Sequence, residues 1–241
     1  MKLLIKIFLI LTVFLLISVN AQKNPFEAIK RQGIIHMDNG KYGEAIDLFN
    51  KYITANPRVP EGYNLRALCY EKRQIYEYAV LDLRRAVHLT PNNSEYRQNL
   101  NRVIAIWYPL LRKKIEGHKR ELAIDPYSPF DHLEIGKSHR WLEEWKLAEL
   151  WYDKFLALYD DASPDEIIRY SIILAKTGSI QKGERVLKKW VDRYPDDWRL
   201  WSRYGYFTLW LGKRDNAANA FRSALNFKPF FKEAQDGLDI A

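Results

Sequence analysis

The chain has 241 residues, with 38 lysines and arginines against 30 aspartates and glutamates, and therefore a formal net charge of +8. Its hydrophobic fraction of 47% is enough for a folded core, which excludes a disordered or fibrous protein. Its single cysteine, Cys69, excludes an intramolecular disulfide and any multi-cysteine zinc or iron–sulfur site.

The first 21 residues have the pattern of a secretory signal. Lys2 and Lys6 make a positive start, residues 7–19 are mainly apolar, and Ala21 ends a Val-Asn-Ala sequence that a signal peptidase can cleave. An uncleaved anchor is the alternative, but a helix of 13 residues spans only about 20 Å of a roughly 30 Å hydrocarbon layer. We therefore expect cleavage after Ala21 and a periplasmic or secreted protein, whose membrane contact is limited to this segment.

Prolines mark a regular period in the rest of the chain. Five of them are separated by 34, 35, 69 and 34 residues, and 69 is the sum of one period of 34 and one of 35: Pro57, Pro91, Pro126, Pro195 and Pro229. Within each period, apolar residues recur every three or four positions, as in an amphipathic helix. Gly40, Gly178 and Gly212 stand near the middle of a period, where a left-handed residue commonly ends a helix. Each period is therefore predicted to form two helices.

This unit of two helices resembles the tetratricopeptide repeat family. The family has small residues at positions 8 and 20 of the repeat, a bulky residue at 24 and proline at 32. The second unit matches closely, with Ala67, Ala79, Leu83 and Pro91. Small side chains at positions 8 and 20 let the two helices cross tightly, and the bulky residue fills the space between units.

The resemblance implies an all-α, right-handed superhelical solenoid over 22–241, made of about six helical hairpins and a C-terminal capping helix. The expected repeats are 26–59, 60–93, 94–128, 129–163, 164–197 and 198–231, followed by a cap at 230–241. The third repeat is degenerate, because Asn101 and Lys113 stand near its small positions, and we expect Pro109 to begin its second helix. The cap is expected to place Phe230, Phe231, Ala234 and Leu238 on one helical face.

Residues capable of chemistry do not form a catalytic, cofactor-binding or metal-binding pattern. Cys69 lies within a predicted helix and is expected to be a core residue. His132 and His139 are seven residues apart without an evident third ligand, so we expect them to pack within the fold or to lie on its surface, and not to bind a metal. The acidic pairs at 160–161 and 196–197 are expected to cap helices. The sequence thus predicts a protein that is not an enzyme and needs no cofactor.

The resemblance also implies a concave groove lined by the first helix of each repeat. Positions 2, 5, 6, 9, 12 and 13 of the repeat commonly face a ligand in this family. In this chain many of these positions are cationic or aromatic: Lys30, Arg31, Asn64, Arg102, Lys137, Arg140, Trp141, Arg169, Lys176, Arg199, Arg203, Tyr206 and Trp210. A cationic groove attracts acidic segments or chain ends. Acidic residues at the same positions, including Glu61 and Glu134, leave an ordinary solvated face as the alternative.

Together these patterns predict a monomeric, non-catalytic scaffold of the cell envelope or exterior that binds an acidic or extended segment of a partner protein. One alternative is binding of an anionic envelope polymer, such as a glycan or lipid headgroups. Another is a structural subunit of an envelope assembly, joined through its many tryptophans. Nucleic-acid binding is not favoured despite the basic charge, because export separates the chain from nucleic acid.

Overall fold

The computed structural model describes residues 25–241, which form twelve α-helices and no β-strand. The signal segment predicted at 1–21 lies outside these residues. The all-α class and the repeated helical hairpins predicted from the sequence are confirmed. The chain divides into two compact units, one ending at Tyr108 and the other beginning at Pro109.

The first unit contains two helical hairpins and the first half of a long helix. Its helices are α1 (Pro25–Asp38), α2 (Tyr42–Ala55), α3 (Pro60–Lys72), α4 (Tyr76–Leu89) and the beginning of α5 (Ser94–Ile124). Helix α1 packs on α2 and α3 on α4, while α2 also packs on α3. Each hairpin therefore buries one face internally and another against the next hairpin.

The second unit contains the rest of α5, three hairpins and a last short helix. Its helices are α6 (Pro129–Trp141), α7 (Trp145–Leu158), α8 (Pro164–Thr177), α9 (Ile180–Arg193), α10 (Trp198–Trp210), α11 (Arg214–Phe227) and α12 (Lys232–Ile240). A continuous core of aliphatic and aromatic side chains runs from α7 to α11, with Tyr152, Leu187 and Phe207 among its members.

The turn inside each hairpin has one residue with left-handed backbone. Its φ angle is +74° at Gly40, 59° at Gln74, 60° at Glu143, 73° at Gly178 and 74° at Gly212. The glycines were predicted to adopt this conformation, and the prediction is confirmed. Gln74 and Glu143 show that the repeat imposes the same turn where no glycine signals it, at the steric cost that a side chain brings to this region.

The third repeat lacks this turn. Helix α5 continues for 31 residues with Pro109 inside it, so the expectation that Pro109 begins a second helix is wrong. Pro109 stands 35 residues after Gln74, where the register calls for a left-handed residue. Proline holds φ near −65° and cannot adopt that conformation. The chain therefore continues as a helix instead of reversing.

Close packing within a hairpin depends on what stands at positions 8 and 24 of the repeat. A Cβ added to Gly33 would lie 2.7 Å from Cε1 of Phe49, and one added to Gly205 would lie 2.6 Å from Cε1 of Phe221. Where position 8 has a side chain, position 24 is smaller, as in the pairs Ala67–Leu83 and Ser171–Leu187. The combined volume at the helix crossing is thereby kept nearly constant.

The C-terminal cap forms as predicted, with one exception. Ala234 and Leu238 of helix α12, together with its N-cap residue Phe231, cover Phe221 and the neighbouring core. A Cβ on Gly237 would lie 2.4 Å from Cζ of Phe221, so α12 approaches as closely as the helices within a hairpin. Phe230, predicted to share the buried face, is 91% exposed because it precedes the helix in the turn.

The acidic pairs between repeats have two different roles. The Asp197 carboxylate accepts hydrogen bonds from the backbone N–H groups of Arg199 and Leu200, so it caps α10 as predicted. Capping by residues 160–161 is wrong, because the hydroxyl of Ser163 caps α8. Asp160 and Asp161 instead form ion pairs with Arg193 of α9.

Replacing both members of one packing pair tests the volume rule, by which the combined side-chain volume at positions 8 and 24 stays nearly constant. Gly33→Ala should destabilise the first unit by about 1–3 kcal/mol through overpacking against Phe49. Phe49→Leu alone should destabilise it by leaving a cavity. The double variant reproduces the Ala67–Leu83 pair. We expect its loss of unfolding free energy to be smaller than the sum of the losses in the two single variants by about 0.5–3 kcal/mol. Urea unfolding followed by circular dichroism measures all three variants.

Gly117→Ala is the matched control for the added methyl group. Gly117 lies inside α5, and the nearest atom to an added Cβ is a guanidinium nitrogen of Arg120 at 4.0 Å. Alanine should stabilise this helix by about 1 kcal/mol. Equal effects of the two alanine substitutions, or simple additivity in the double variant, would contradict the rule.

Candidate functional site

In the first unit, Lys30 is already held by carboxylates. Its Nζ lies 2.8 Å from Oε2 of Glu61 and 2.9 Å from Oε2 of Glu27. The same ammonium lies 5.7 Å from the ring centroid of Tyr52. The hydrogen bond with Glu61 raises the pKa of Lys30 despite partial burial. Lys30 therefore joins the first two repeats, and much of its charge is used within the fold.

Arg102 of the third repeat forms a bidentate ion pair with Glu71 of the second. Its Nε and one terminal nitrogen donate to the Glu71 carboxylate over 3.0 and 2.7 Å, which raises the pKa of Arg102. This pair lines a cavity of about 630 Å³, together with Met37, Asp38, Tyr42, Leu68 and Lys72. Two acids and two bases line the cavity, so its walls have no net charge.

The two other predicted residues of the first unit differ in exposure. Asn64 is buried, and its amide oxygen accepts a hydrogen bond of 2.9 Å from Asn99. Arg31 is exposed on α1. Asn64 thus links α3 to α5, whereas Arg31 lies on an exposed face of α1.

In the second unit, Lys137 and Arg169 meet at Glu166. Lys137 Nζ and Arg169 Nη1 lie 3.1 and 2.8 Å from Oε1 of Glu166. Lys137 also lies 3.1 Å from Glu134, which forms an ion pair with Lys114 of α5. Burial alone would raise the pKa of Glu134, but the two lysines outweigh it and the pKa is lowered.

Arg140 and Lys176 lie against tryptophan rings. The guanidinium carbon of Arg140 is 4.4 Å from the ring centroid of Trp141, and Lys176 Nζ is 5.9 Å from that of Trp145. Trp141 itself is buried. The two cations thus share a tryptophan-rich part of the second unit, with favourable cation–π geometry.

Helix α10 contributes the last four predicted residues. Arg199 Nη1 lies 2.6 Å from Asp165, and Arg203 Nη1 lies 3.6 Å from Glu233. The hydroxyl of Tyr206 donates to the backbone carbonyl of Glu233 over 2.7 Å, which fastens α12 to α10. Trp210 remains 52% exposed.

Most cations of the predicted basic surface therefore pair with carboxylates. Six of its nine cations lie within 4 Å of a carboxylate: Lys30, Arg102, Lys137, Arg169, Arg199 and Arg203. Four of these pairs join neighbouring repeats: Lys30–Glu61, Arg102–Glu71, Lys137–Glu166 and Arg199–Asp165. Arg169 pairs within its own helix, and Arg203 has the longest pair, with Glu233 of the capping helix. The surface is consequently less positive than the list of cations alone indicates.

Sequence reasoning missed an apolar cavity in the second unit. This cavity, called the aromatic cavity below, has a volume of about 480 Å³ and is lined by Pro129, Phe130, Leu133, Phe155, Tyr159, Asp161, Ala162, Ser163 and Glu166. A signal was available, because Phe130 and Leu133 hold positions 2 and 5 of the fourth repeat. The sequence reasoning selected cations and overlooked this apolar pair.

The residues considered for chemistry are part of the packing. Cys69 is fully buried, which raises the pKa of its thiol to about 11. His132 and His139 are buried too, so of the two expected placements, packing and surface, the structure shows packing. Within residues 25–241, no group of three or more potential metal ligands comes together. No helix in this range is both long enough and apolar enough to cross a membrane.

These features agree with comparisons to known proteins. Residues 30–94 match the tetratricopeptide repeat family. The photosystem I assembly protein Ycf3 of Rippkaea orientalis (strain PCC 8801 / RF-1) is 31% identical to this chain over 81 residues. That alignment covers 28% of this chain and 47% of the relative, so the chain spans about half of the relative's length.

Two solved structures are similar over nearly all of the chain. YrrB, described as a TPR protein with an unusual peptide-binding site, is 12% identical, with a TM-score of 0.44 and coverage of 92% of this chain and 97% of that one. PilW, described as a type IV pilus biogenesis factor, is 16% identical, with a TM-score of 0.46 and coverage of 90% and 99%.

Acidification should weaken the second unit. The lowered pKa of Glu134 means that its stabilising effect is complete above the unfolded pKa, about 4.3, and disappears as the pH falls through the folded pKa. Glu134→Gln should lower the urea midpoint at pH 7 and flatten its decline below about pH 5. The exposed Glu116, paired with Lys119, provides the control, and Glu116→Gln should follow the wild type. Equal pH profiles for all three proteins would contradict this assignment.

Proposed function

We propose that this protein is a non-catalytic protein-binding scaffold. Tetratricopeptide repeats generally act as protein-interaction scaffolds, and residues 30–94 match that family. The observation that carries the proposal is the series of packed hairpins, which presents side chains of successive first helices within each unit. A partner segment can then bind with little loss of scaffold entropy.

A role in assembling other proteins is favoured by one comparison. The relative Ycf3 is described as a photosystem I assembly protein and is 31% identical to this chain over 81 residues. We infer that this protein takes part in assembling other proteins, with its stacked helical repeats supplying an extended surface for part of a partner.

The partner segment is proposed to be extended and acidic. In the second unit, Lys176 lies on a tryptophan and Arg203 has only a 3.6 Å pair with Glu233. An incoming carboxylate can share or replace such a long pair at small cost. Trp210, half exposed beside Tyr206, supplies an aromatic contact of the kind common at binding hot spots.

The proposed site of action is the periplasm or the exterior, as a monomer. The signal-like segment at 1–21 supports export. We expect the protein isolated from its host to begin at Gln22. N-terminal sequencing or intact-mass measurement tests this, and a protein that retains Met1 in the membrane fraction would contradict it.

Charge reversal tests the binding surface. Lys176→Glu/Arg203→Glu should weaken capture of the partner from a cell extract at least tenfold, because both cations then repel an acidic segment. Arg185→Glu/Arg222→Glu makes the same charge change on exposed residues of α9 and α11 and should capture as the wild type does. Quantitative mass spectrometry of the captured proteins measures the difference.

Trp210→Ala tests the aromatic contact in the same assay. Phe227→Ala is the matched control, because Phe227 is 51% exposed and Trp210 is 52% exposed. We expect a loss of capture for Trp210→Ala alone. Equal capture by both alanine variants and both charge variants would contradict the proposed surface. Binding whose affinity does not depend on the partner's amino-acid sequence but falls steeply with added salt would favour an anionic polymer as the ligand instead.

A further inference from the structure

The aromatic cavity has a surface that the fold itself leaves uncovered. It lies where the start of α6, the end of α7 and the start of α8 come together. Phe130 is 63% exposed and Tyr159 is 43% exposed at its edge. Large apolar side chains left open to water around a concavity are typical of ligand and partner sites.

Packing holds the aromatic walls in place. Phe155 is buried in the core, and its ring centroid lies 5.7 Å from that of Tyr159. The ring of Phe130 meets His118 edge-on at 5.7 Å, and Nδ1 of His118 lies 2.6 Å from the carboxylate of Asp131. The cavity is therefore preformed, since its walls are fixed from behind by core and polar contacts.

Its charge is opposite to that of the predicted basic surface. Among the described residues that line it, the charged side chains are those of Asp161 and Glu166, and none is a cation. Glu166 already accepts bonds from Arg169 and Tyr152 and pairs with Lys137. Asp161 is therefore the carboxylate best placed to meet a ligand.

The carboxylate of Asp161 is only partly used. Its side chain is 65% exposed. Arg193 donates to Oδ1 over 2.7 Å, and the hydroxyl of Tyr194 reaches the same oxygen at 3.5 Å. Neither of these two bonds, both formed within residues 25–241, uses the second carboxylate oxygen of Asp161, Oδ2. An exposed ion pair such as Asp161–Arg193 also rearranges at little cost. A ligand cation can therefore share this carboxylate with Arg193.

We propose that the aromatic cavity binds a protein segment in which a bulky apolar side chain stands next to a lysine or arginine. The apolar side chain enters between Phe130, Leu133 and Phe155, and the cation pairs with Asp161. This inference rests on the proposed protein-binding function for the class of ligand. It adds a second site, with the opposite charge preference to the surface around Arg203.

Synthetic peptides test the chemistry directly. The probe is Ser-Gly-Leu-Phe-Lys-Arg-Gly-Ser, compared with a Leu-Phe-Glu-Glu version and an Ala-Ala-Lys-Arg version of the same length. The protein is used in the form that cells produce and is labelled with nitrogen-15. We expect saturable chemical-shift changes at the amides of Phe130, Leu133, Asp161 and Ser163 with the first peptide. Each comparison peptide should bind at least tenfold more weakly.

Paired variants separate binding from folding. Asp161→Asn should weaken binding of the first peptide at least threefold. Asp160→Asn should not, although Asp160 lies in the same loop and also pairs with Arg193. Phe130→Ser should weaken binding at least tenfold, whereas Phe227→Ser, at an exposed phenylalanine outside the cavity, should not. Unchanged circular dichroism and thermal midpoint show that Phe130→Ser remains folded.

The outcomes separate this inference from the proposed scaffold function. Absence of saturable shifts at these amides, equal binding of the Glu-Glu peptide, or wild-type affinity in Phe130→Ser overturns the aromatic cavity as a site. Capture that still depends on Lys176 and Arg203 would leave the scaffold function standing in each case. Peptide binding at the cavity without any captured partner would instead contradict the surface around Arg203.

Discussion

The structure depends on one repeated constraint, the close approach of two helices at a small residue. In the first, fourth and sixth repeats an aromatic ring from the second helix lies against glycine in the first, at distances that exclude even a methyl group. Close packing of protein interiors makes the volume at such a crossing nearly invariant. The pairing of alanine or serine with leucine elsewhere follows from the same limit, and it keeps successive hairpins alike enough to stack.

The turn within the hairpin is the second constraint, and its loss explains the irregular repeat. Five hairpins reverse through a left-handed residue, three times at glycine and twice at a residue with a side chain. Tertiary packing of the two helices outweighs the conformational cost at Gln74 and Glu143. Pro109 cannot adopt the left-handed conformation, because its ring fixes φ. A single helix therefore replaces a hairpin, and the boundary between the two compact units falls at that residue.

Electrostatics show how a basic chain can present surfaces of different sign. Six of the nine predicted cations bind carboxylates, and four of these pairs lie between neighbouring repeats, so these charges are used within the fold. The aromatic cavity is lined by Asp161 and Glu166 and by no cation among its described residues. Under the two proposals, the surface around Arg203 and the aromatic cavity therefore prefer ligands of opposite charge.

The sequence by itself determined the helical class, the period, the hairpin turns at Gly40, Gly178 and Gly212, and the capping helix. Each depends on residues close together in the chain, where periodicity and backbone preference act locally. Only the tertiary structure decided that α5 is continuous, that Phe230 is exposed, that Arg102 binds Glu71, and that Phe130, Phe155 and Asp161 surround one cavity. The first two outcomes come from backbone geometry at Pro109 and before α12, which the repeat pattern does not show. The last two depend on distances between side chains about thirty residues apart, and a list of repeat positions does not contain those distances.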